Sequence, residues 1–312
     1  MTERDIAPPG VEPEVPIAVL TATDGDAPPP PPPALPPVRD EDGDLTREFR
    51  AAVSEALERE DVERLRALAE DLHDSDVADL IEALDADERP VLVRLLGEDF
   101  EFSVLVDVDE TVRVQLIDDL PHETVVEGVK DLDSDDAIYI LEDLDEAKQD
   151  AILETFPIAE RLALERSLDY PEESAGRLMQ TEFIAVPPFW TVGQVIDYCR
   201  ETEDLPDDFY EIHVVDPSFK LVGTVALDKI LRSKRLIPIG DIVDEVRVTA
   251  RVDEDREEVA RLFERYDLIS MPVLDENDRL VGVVTADDVV DVVMEEAEED
   301  LRALAGVGDE EI

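Results

Sequence analysis

The chain has 312 residues, of which 84 are acidic and 28 basic, giving a formal charge of −56. A surface with that field repels phosphate backbones, which excludes nucleic acid as a partner. Hydrophobic residues at 44% suffice for real cores, aromatics at 5% point to aliphatic packing, and the length suits two or three domains.

Self-repulsion on this scale opposes a compact state, so cations must offset it. A halophile's solvated surface is the other source of such an excess, and the use of 23 Arg against 5 Lys leans that way. Cys199 is alone, so no intrachain disulfide can form, and a reducing compartment fits. The N-terminus has no basic region followed by an apolar one, as a signal peptide would. No run reaches the ~18 apolar residues of a spanning helix, so this chain alone is not expected to cross a bilayer.

Residues 1–40 hold 12 of the 22 prolines, including Pro28 to Pro33, and read as an extended or disordered tail. Residues 41–170 read as helices only. An apolar residue recurs every twelve positions at Leu72, Leu84, Leu96, Val108, Leu120, Leu132, Leu144 and Phe156. Each is followed by a polar or helix-stopping residue: His73, Asp85, Gly97, Asp109, Pro121, Asp133, Asp145 and Pro157. Apolar partners three and four residues earlier, as in Leu80/Ile81/Leu84 and Val104/Leu105/Val108, share one helical face. The unit is therefore a helix of about two turns, too short to bury its stripe alone, and the expected fold is an all-helical superhelix. Asp76 to Asp85 is echoed sixty residues on by Asp136 to Asp145.

After Tyr170-Pro171 the periodicity changes. Strands are expected at Phe183 to Val186, Ile212 to Val215 and Leu221 to Val225, with helices at Val192 to Arg200 and Leu227 to Arg232. The order repeats: strands at Val246 to Thr249, Met271 to Leu274 and Leu280 to Thr285, and helices at Arg256 to Tyr266 and from Ala286. Val214-Val215-Asp216 with Lys220-Leu221-Val222-Gly223 recurs 59 residues later as Val273-Leu274-Asp275 with Arg279-Leu280-Val281-Gly282. Two copies of one β-α-β-β-α unit follow the helices, over 171–238 and 239–300, so the fold class is α plus α/β.

The repeat resembles the CBS domain, whose tandem pairs often hold an adenine nucleotide through a Gly-h-h-Ser/Thr-x-x-Asp motif. Gly282-Val283-Val284-Thr285-Ala286-Asp287-Asp288 matches it, which makes Thr285 and Asp288 the candidate nucleotide residues for ATP or AMP. The first copy reads Gly223-Thr224-Val225-Ala226-Leu227-Asp228-Lys229, with alanine for the hydroxyl and lysine for the acid.

The whole order resembles the cytosolic half of MgtE magnesium transporters over residues 45 to 308. Its most specific pieces are Ser174-Ala175-Gly176-Arg177-Leu178-Met179 and Glu257-Glu258-Val259-Ala260-Arg261-Leu262-Phe263. The resemblance implies a cytoplasmic, Mg²⁺-sensing regulatory region at the plasma membrane, a homodimer through its CBS domains, with residues 301–312 starting a connector to a transmembrane domain of the full-length protein that this chain lacks.

On the last helix Asp288, Asp291, Glu295 and Glu299 fall three, four and four apart. Like charges so placed repel, and a hard divalent ion removes that repulsion. By resemblance, Asp135 shares ions with Asp288 and Asp291, while Asp255, Glu257 and Asp267 line a further site. Glu296, Glu299 and Asp300 line the one nearest the pore. Ser103 and Tyr139 stand where the family carries acids, so the interdomain site is expected to have fewer or different ligands.

The implied mechanism is a switch: two acidic lobes swing apart at low Mg²⁺ and are held together at high Mg²⁺. An adenine-nucleotide sensor is the alternative. His73, His122, His213, Cys199 and Trp190 read as packing or surface residues. No Walker loop, Ser-His-Asp order or HExxH motif is present, so an enzyme is not expected.

Overall fold

The computed structural model describes residues 35–202, 205–206 and 209–305, and beyond Ala297 the only side chain described is that of Leu301. Up to residue 34 the expected tail lies outside the described residues. Its last part is folded onto the helices: Thr46 N donates to the Val38 carbonyl at 2.8 Å, and the Arg39 guanidinium pairs with Asp76 and Asp79. The expectation of a tail to residue 40 is corrected on that account, since Arg39 finds two carboxylates on one helix face.

Among the described residues nine helices follow: α1 (Arg47–Glu58), α2 (Val62–Ala69), α3 (Asp74–Ala83), α4 (Arg89–Leu96), α5 (Glu110–Asp119), α6 (His122–Lys130), α7 (Ser134–Glu142), α8 (Glu146–Leu153) and α9 (Ile158–Leu168). The twelve-residue period has a physical basis in these boundaries. The residue after the periodic apolar one is the N-cap of the next helix at His73, Asp109, Pro121, Asp133, Asp145 and Pro157. Asp109 accepts from Thr111 N and Asp145 from Lys148 N, each at 3.0 Å, meeting donors that a helix start leaves unpaired. The apolar residue just before plugs the turn into a shared core: Leu84, Leu96, Val108, Leu120 and Leu144 are buried, and Leu72, Leu132 and Phe156 pack partly against the same cluster.

One unit departs from the pattern. Val104, Leu105 and Val108 were expected on a two-turn α-helix, and the structure has 3-10 turns at Gly97–Asp99 and Phe102–Leu105 instead. Gly97, at φ 58°, ends α4 and leaves its unit split between two tight turns. The three side chains are buried all the same.

The second half contains α10 (Ala175–Leu178), α11 (Val192–Glu201), α12 (Leu227–Arg232), α13 (Arg256–Tyr266) and α14 (Ala286–Ala305). Two three-stranded sheets accompany them, β1 (Ala185–Val186), β2 (Glu211–Val215) and β3 (Leu221–Ala226), then β4 (Ala250–Arg251), β5 (Ser270–Leu274) and β6 (Leu280–Thr285). In each sheet the first strand is parallel to the second and the second antiparallel to the third. The register shifts at equivalent places, Val214/Val215 and Val273/Leu274.

The expected strand at Val246 to Thr249 is not formed, and β4 begins at Ala250. Ala250 faces Val273 across the parallel ladder, so the next pair back would need an N–H from Pro272, which has none. The first strand of the first repeat is likewise shorter than Phe183 to Val186, and Pro187 and Pro188 follow it.

The two repeats exchange their leading segments. Ala175 and Met179 belong to the core of the second repeat, with Val252, Phe263 and Met271. Ile239, with Ile237 and Ile242 beside it, belongs to that of the first. Sequence order had placed 174–180 with the first repeat, but Ala175 N and Gly176 N donate to the carbonyls of Glu254 and Val252 at 2.7 and 2.9 Å. This interlock fixes α10, and hence the helical domain leading into it, against α13 and α14.

Candidate functional site

The first turn of α7 meets the first turns of α14 across a cleft of about 510 Å³. The helical domain contributes Asp107, Asp135, Asp136, Tyr139 and Glu142, and the paired repeats contribute Arg177, Arg256, Asp288, Asp291 and Glu295. Asp135 and Asp136 keep part of their surface open on the cleft, yet protein surrounds them deeply enough for lost hydration to dominate. Burial, then the charge of Asp288, then that of Asp136, hold the Asp135 carboxyl well above the usual carboxylate range. Asp136 is pushed up to about 7 by burial and by Asp288, Asp133, Asp287 and Asp291.

On α14, burial and the neighbouring Asp287 and Asp291 raise Asp288 to about 6, against the lowering effect of the Thr285 hydroxyl that donates to it. Asp291 keeps an exposed edge and still reaches about 6 through burial and the charges of Asp107, Glu295 and Asp287. This half of the interface is acid against acid, with little to neutralise it.

The other half is compensated. Arg177 Nη1 donates to Glu142 Oε2 at 2.7 Å, and Arg256 Nη1 donates to Glu295 Oε2 at 2.9 Å. Tyr139 OH donates to Glu295 Oε1 at 3.3 Å, and Ser134 Oγ donates to Glu182 Oε2 at 2.7 Å. Direct bonds from Arg177, Tyr139 and Ser134 therefore join the lobes beside the facing acids, while Arg256 holds Glu295 from within its own lobe.

Of the residues expected to bind metal, Asp135, Asp288 and Asp291 come together in the cleft. Asp255, Glu257 and Asp267 do not. Asp255 is the N-cap of α13, accepting from Glu257 N at 3.0 Å, while Asp267 is the C-cap of the same helix. About 18 Å of helix rise separates Asp255 from Asp267. Glu257 is taken by Arg261 at 2.7 Å.

Glu296 lies near Arg256, 3.4 Å between side-chain atoms. The side chains of Glu299 and Asp300 lie outside the described residues. Among the described residues no three acidic, histidine or cysteine side chains form a ready-made metal-ligand group. Sequence reasoning missed Asp136 and Asp107. The sixty-residue echo begins at Asp136, but only the packing of α7 on α14 shows which of its acids face the other lobe.

Ser103 and Tyr139 present hydroxyls. Ser103 Oγ donates to Asp74 Oδ2 at 3.2 Å within the helical domain. Of the three histidines, His73 caps α3, His122 opens α6 and His213 is buried in β2. Trp190 packs edge-on against Tyr198, and Cys199 lies against the same core. Among the described residues no helix is long and apolar enough to cross a membrane.

Comparison with known proteins agrees with this architecture. The family model of the MgtE intracellular N domain matches residues 72–173, and that of the CBS domain matches 239–295. The structure of the cytosolic domain of the Mg²⁺ channel MgtE in complex with ATP is 31% identical. It covers 78% of this chain and 99% of its own, with a TM-score of 0.73. The soluble part of a magnesium transporter is 26% identical over 80% of this chain and 98% of its own, with a TM-score of 0.69. The magnesium transporter MgtE of Enterococcus faecalis is 29% identical over 68 residues, which span 22% of this chain and only 15% of that protein.

Helical domain, interlocked CBS pair and the acidic cleft between them define a class of transport-associated regulatory modules. Within it, the chain belongs to the MgtE family, over the part that corresponds to the cytosolic region.

Proposed function

We propose that this chain is the Mg²⁺-sensing regulatory region of a magnesium transporter, acting on the cytoplasmic side of the membrane. The observation that carries the reading is the desolvated set Asp135, Asp136 and Asp288, brought to one cleft, whose carboxyls all sit above their ordinary range through burial first and the charges of neighbouring acids second. A divalent cation there neutralises charge that burial and mutual repulsion make costly. Mg²⁺ fits the donors: all are oxygens, and this ion keeps several waters while taking one or two carboxylates. An ion bridging one carboxylate from each lobe does not need the three-acid cage that is absent among the described residues.

Asp135 and Asp136 supply the helical side, and Asp288 and Asp291 the CBS side. Ion binding favours the docked arrangement by as much as it prefers that arrangement to the open one. The compensated contacts keep the lobes aligned, so the ion tunes an existing interface. In a full-length protein the docked state is the one that restrains the pore. A second ion is proposed for Glu296, Glu299 and Asp300, which fall within five residues of one another in the sequence.

A homodimer is the proposed assembly. α13 and α14 flank an apolar groove of about 570 Å³ lined by Phe263, Leu268, Val289 and Val293, and Val290, Val293 and Met294 are more than half exposed. A second copy presenting the same face covers it.

Small-angle scattering tests the ion reading. Millimolar Mg²⁺ should reduce the radius of gyration relative to Na⁺ at matched ionic strength, and Asp135→Asn with Asp288→Asn should abolish the difference. Equal compaction by both salts would mean a diffuse cation atmosphere on a halophilic surface and would remove the sensor.

A further inference from the structure

The second repeat carries a nucleotide motif, and a related domain has been solved with ATP. The cleft that would receive the base and ribose lies between β2 of the first repeat and Thr285 of the second, walled by Glu182, Phe183, Tyr210, Glu211 and His213. Its free volume is about 30 Å³. Sites for ligands of nucleotide size run to several hundred Å³, on the order of 300–1,000.

The chemistry of the wall is also wrong for phosphate. Phosphate recognition draws on Arg, Lys or converging backbone N–H groups. Among the described residues lining this cleft there are two carboxylates, Glu182 and Glu211, and no lysine or arginine. Both carboxylates are fixed in place, Glu182 accepting from Ser134 and Glu211 from Ser270 Oγ at 2.8 Å. His213 adds no cation: it is 3% exposed, neither ring nitrogen has a hydrogen-bond partner, and burial holds it below the usual histidine range.

The ribose grip is diverted as well. Thr285 Oγ1 donates to Asp288, and the Asp288 carboxylate lines the cleft shared with the helical domain, not the cleft between the repeats. In the first repeat the matching positions are Ala226 and Lys229, and Lys229 Nζ is taken by Asp244 at 2.6 Å.

We infer that the CBS pair of this chain excludes adenine nucleotides, the motif acid Asp288 having been given over to the contact with the helical domain. The docking of the lobes therefore responds to cations without a nucleotide input. The exclusion itself does not rest on the ion reading, since a closed, acid-walled cleft excludes phosphate whatever fills the other one; only its consequence for docking rests on that reading.

Calorimetric titration of the full chain with ATP and with AMP, in chelator so that ligand-bound Mg²⁺ plays no part, tests it directly. No saturable binding is expected up to millimolar ligand. The same titration with Mg²⁺-saturated ATP should also be silent, and the Mg²⁺ midpoint for compaction should shift less than twofold when AMP is added. Saturable one-to-one binding of either nucleotide, in chelator or with Mg²⁺, would overturn the inference. So would an AMP-dependent shift in the Mg²⁺ midpoint. A chain that binds no nucleotide and does not compact with Mg²⁺ would leave the exclusion standing while removing the sensor.

Discussion

The phenol of Tyr139, on α7, donates to Glu295 Oε1, on α14, and so ties the helical domain to the CBS pair through a neutral donor in the middle of an acidic cleft. The ring is held from behind by Arg113, whose guanidinium carbon lies 4.4 Å from the ring centroid, and Glu295 is held by Arg256. The bond needs no cation. Tyr139→Phe removes it while keeping the ring, and a hydrogen bond of this kind contributes about 0.5–1.5 kcal/mol net. The ratio of docked to open molecules at a fixed, subsaturating Mg²⁺ concentration should fall roughly twofold to tenfold. Fluorescence transfer between labels on the two lobes reads it, and an unchanged ratio would show that the contact contributes nothing.

Arg113 is itself the best-buried charge in the helical domain, with a side chain 3% exposed that pairs with Asp143 at 2.6 Å. It also donates to the carbonyls of Val108 and Leu105, at the 3-10 turn that replaces a regular helix. Replacing one partner of a buried pair leaves the other charge stranded, at a cost of about 3–5 kcal/mol. Arg113→Ala should lower helical-domain stability by that order in urea unfolding. Arg113→Met combined with Asp143→Leu should recover most of the loss, because no lone charge remains. A double variant as unstable as the single one would contradict this account.

Much of this is legible in the sequence. The twelve-residue period marks most of the helix starts, because the same step that buries Val108 or Leu144 puts a capping aspartate next. Val214-Val215-Asp216 and Val273-Leu274-Asp275 marked the paired strands. What could not be read was tertiary. Val246 to Thr249 reads as a strand, but the missing N–H belongs to Pro272 on another segment. The acids of α14 were visible as a stripe, whereas Asp107 and Asp136 acquire meaning only when α7 packs on α14. The separation of Asp255 from Asp267 was readable in principle from helix rise, once the whole of 256–266 was taken as one helix.

The exchanged segments of the CBS pair give a third prediction. Gly282, on β6, lies against the backbone of 179–180: a Cβ there would fall 2.4 Å from Met179 Sδ and 2.8 Å from the Gln180 carbonyl oxygen. The thioether can rotate away, but the carbonyl is part of the bridge in which Gln180 N donates to Val283 O and Val283 N to Gln180 O, both at 2.9 Å. Gly282→Ala should therefore destabilise by about 1–3 kcal/mol through overpacking. Hydrogen exchange should accelerate at Gln180 and Val283 before it does in β2 and β3. Uniform acceleration across both sheets would mean that the leading segment is not held by the second repeat in the way described.

The acid cleft makes stability depend on pH with a definite sign. Asp136 sits at about 7 and Asp288 and Asp291 at about 6 in the folded chain, against 3.8 for a free aspartate. The folded state therefore binds more protons than the unfolded state between those values, and stability falls as pH rises. Whatever these groups contribute is fully present below about pH 4 and is lost as pH passes through 6 to 7. In chelator, the melting temperature should be lower at pH 7.5 than at pH 5.5, and Asp136→Asn should flatten the difference. Mg²⁺ competes with protons for the same oxygens, so its stabilising effect should be larger at pH 7.5 than at pH 5.5. A melting temperature in chelator that rises over this interval would show that the carboxylates are solvated and the cleft is open. Equal Mg²⁺ stabilisation at the two pH values would place the ion elsewhere on the chain.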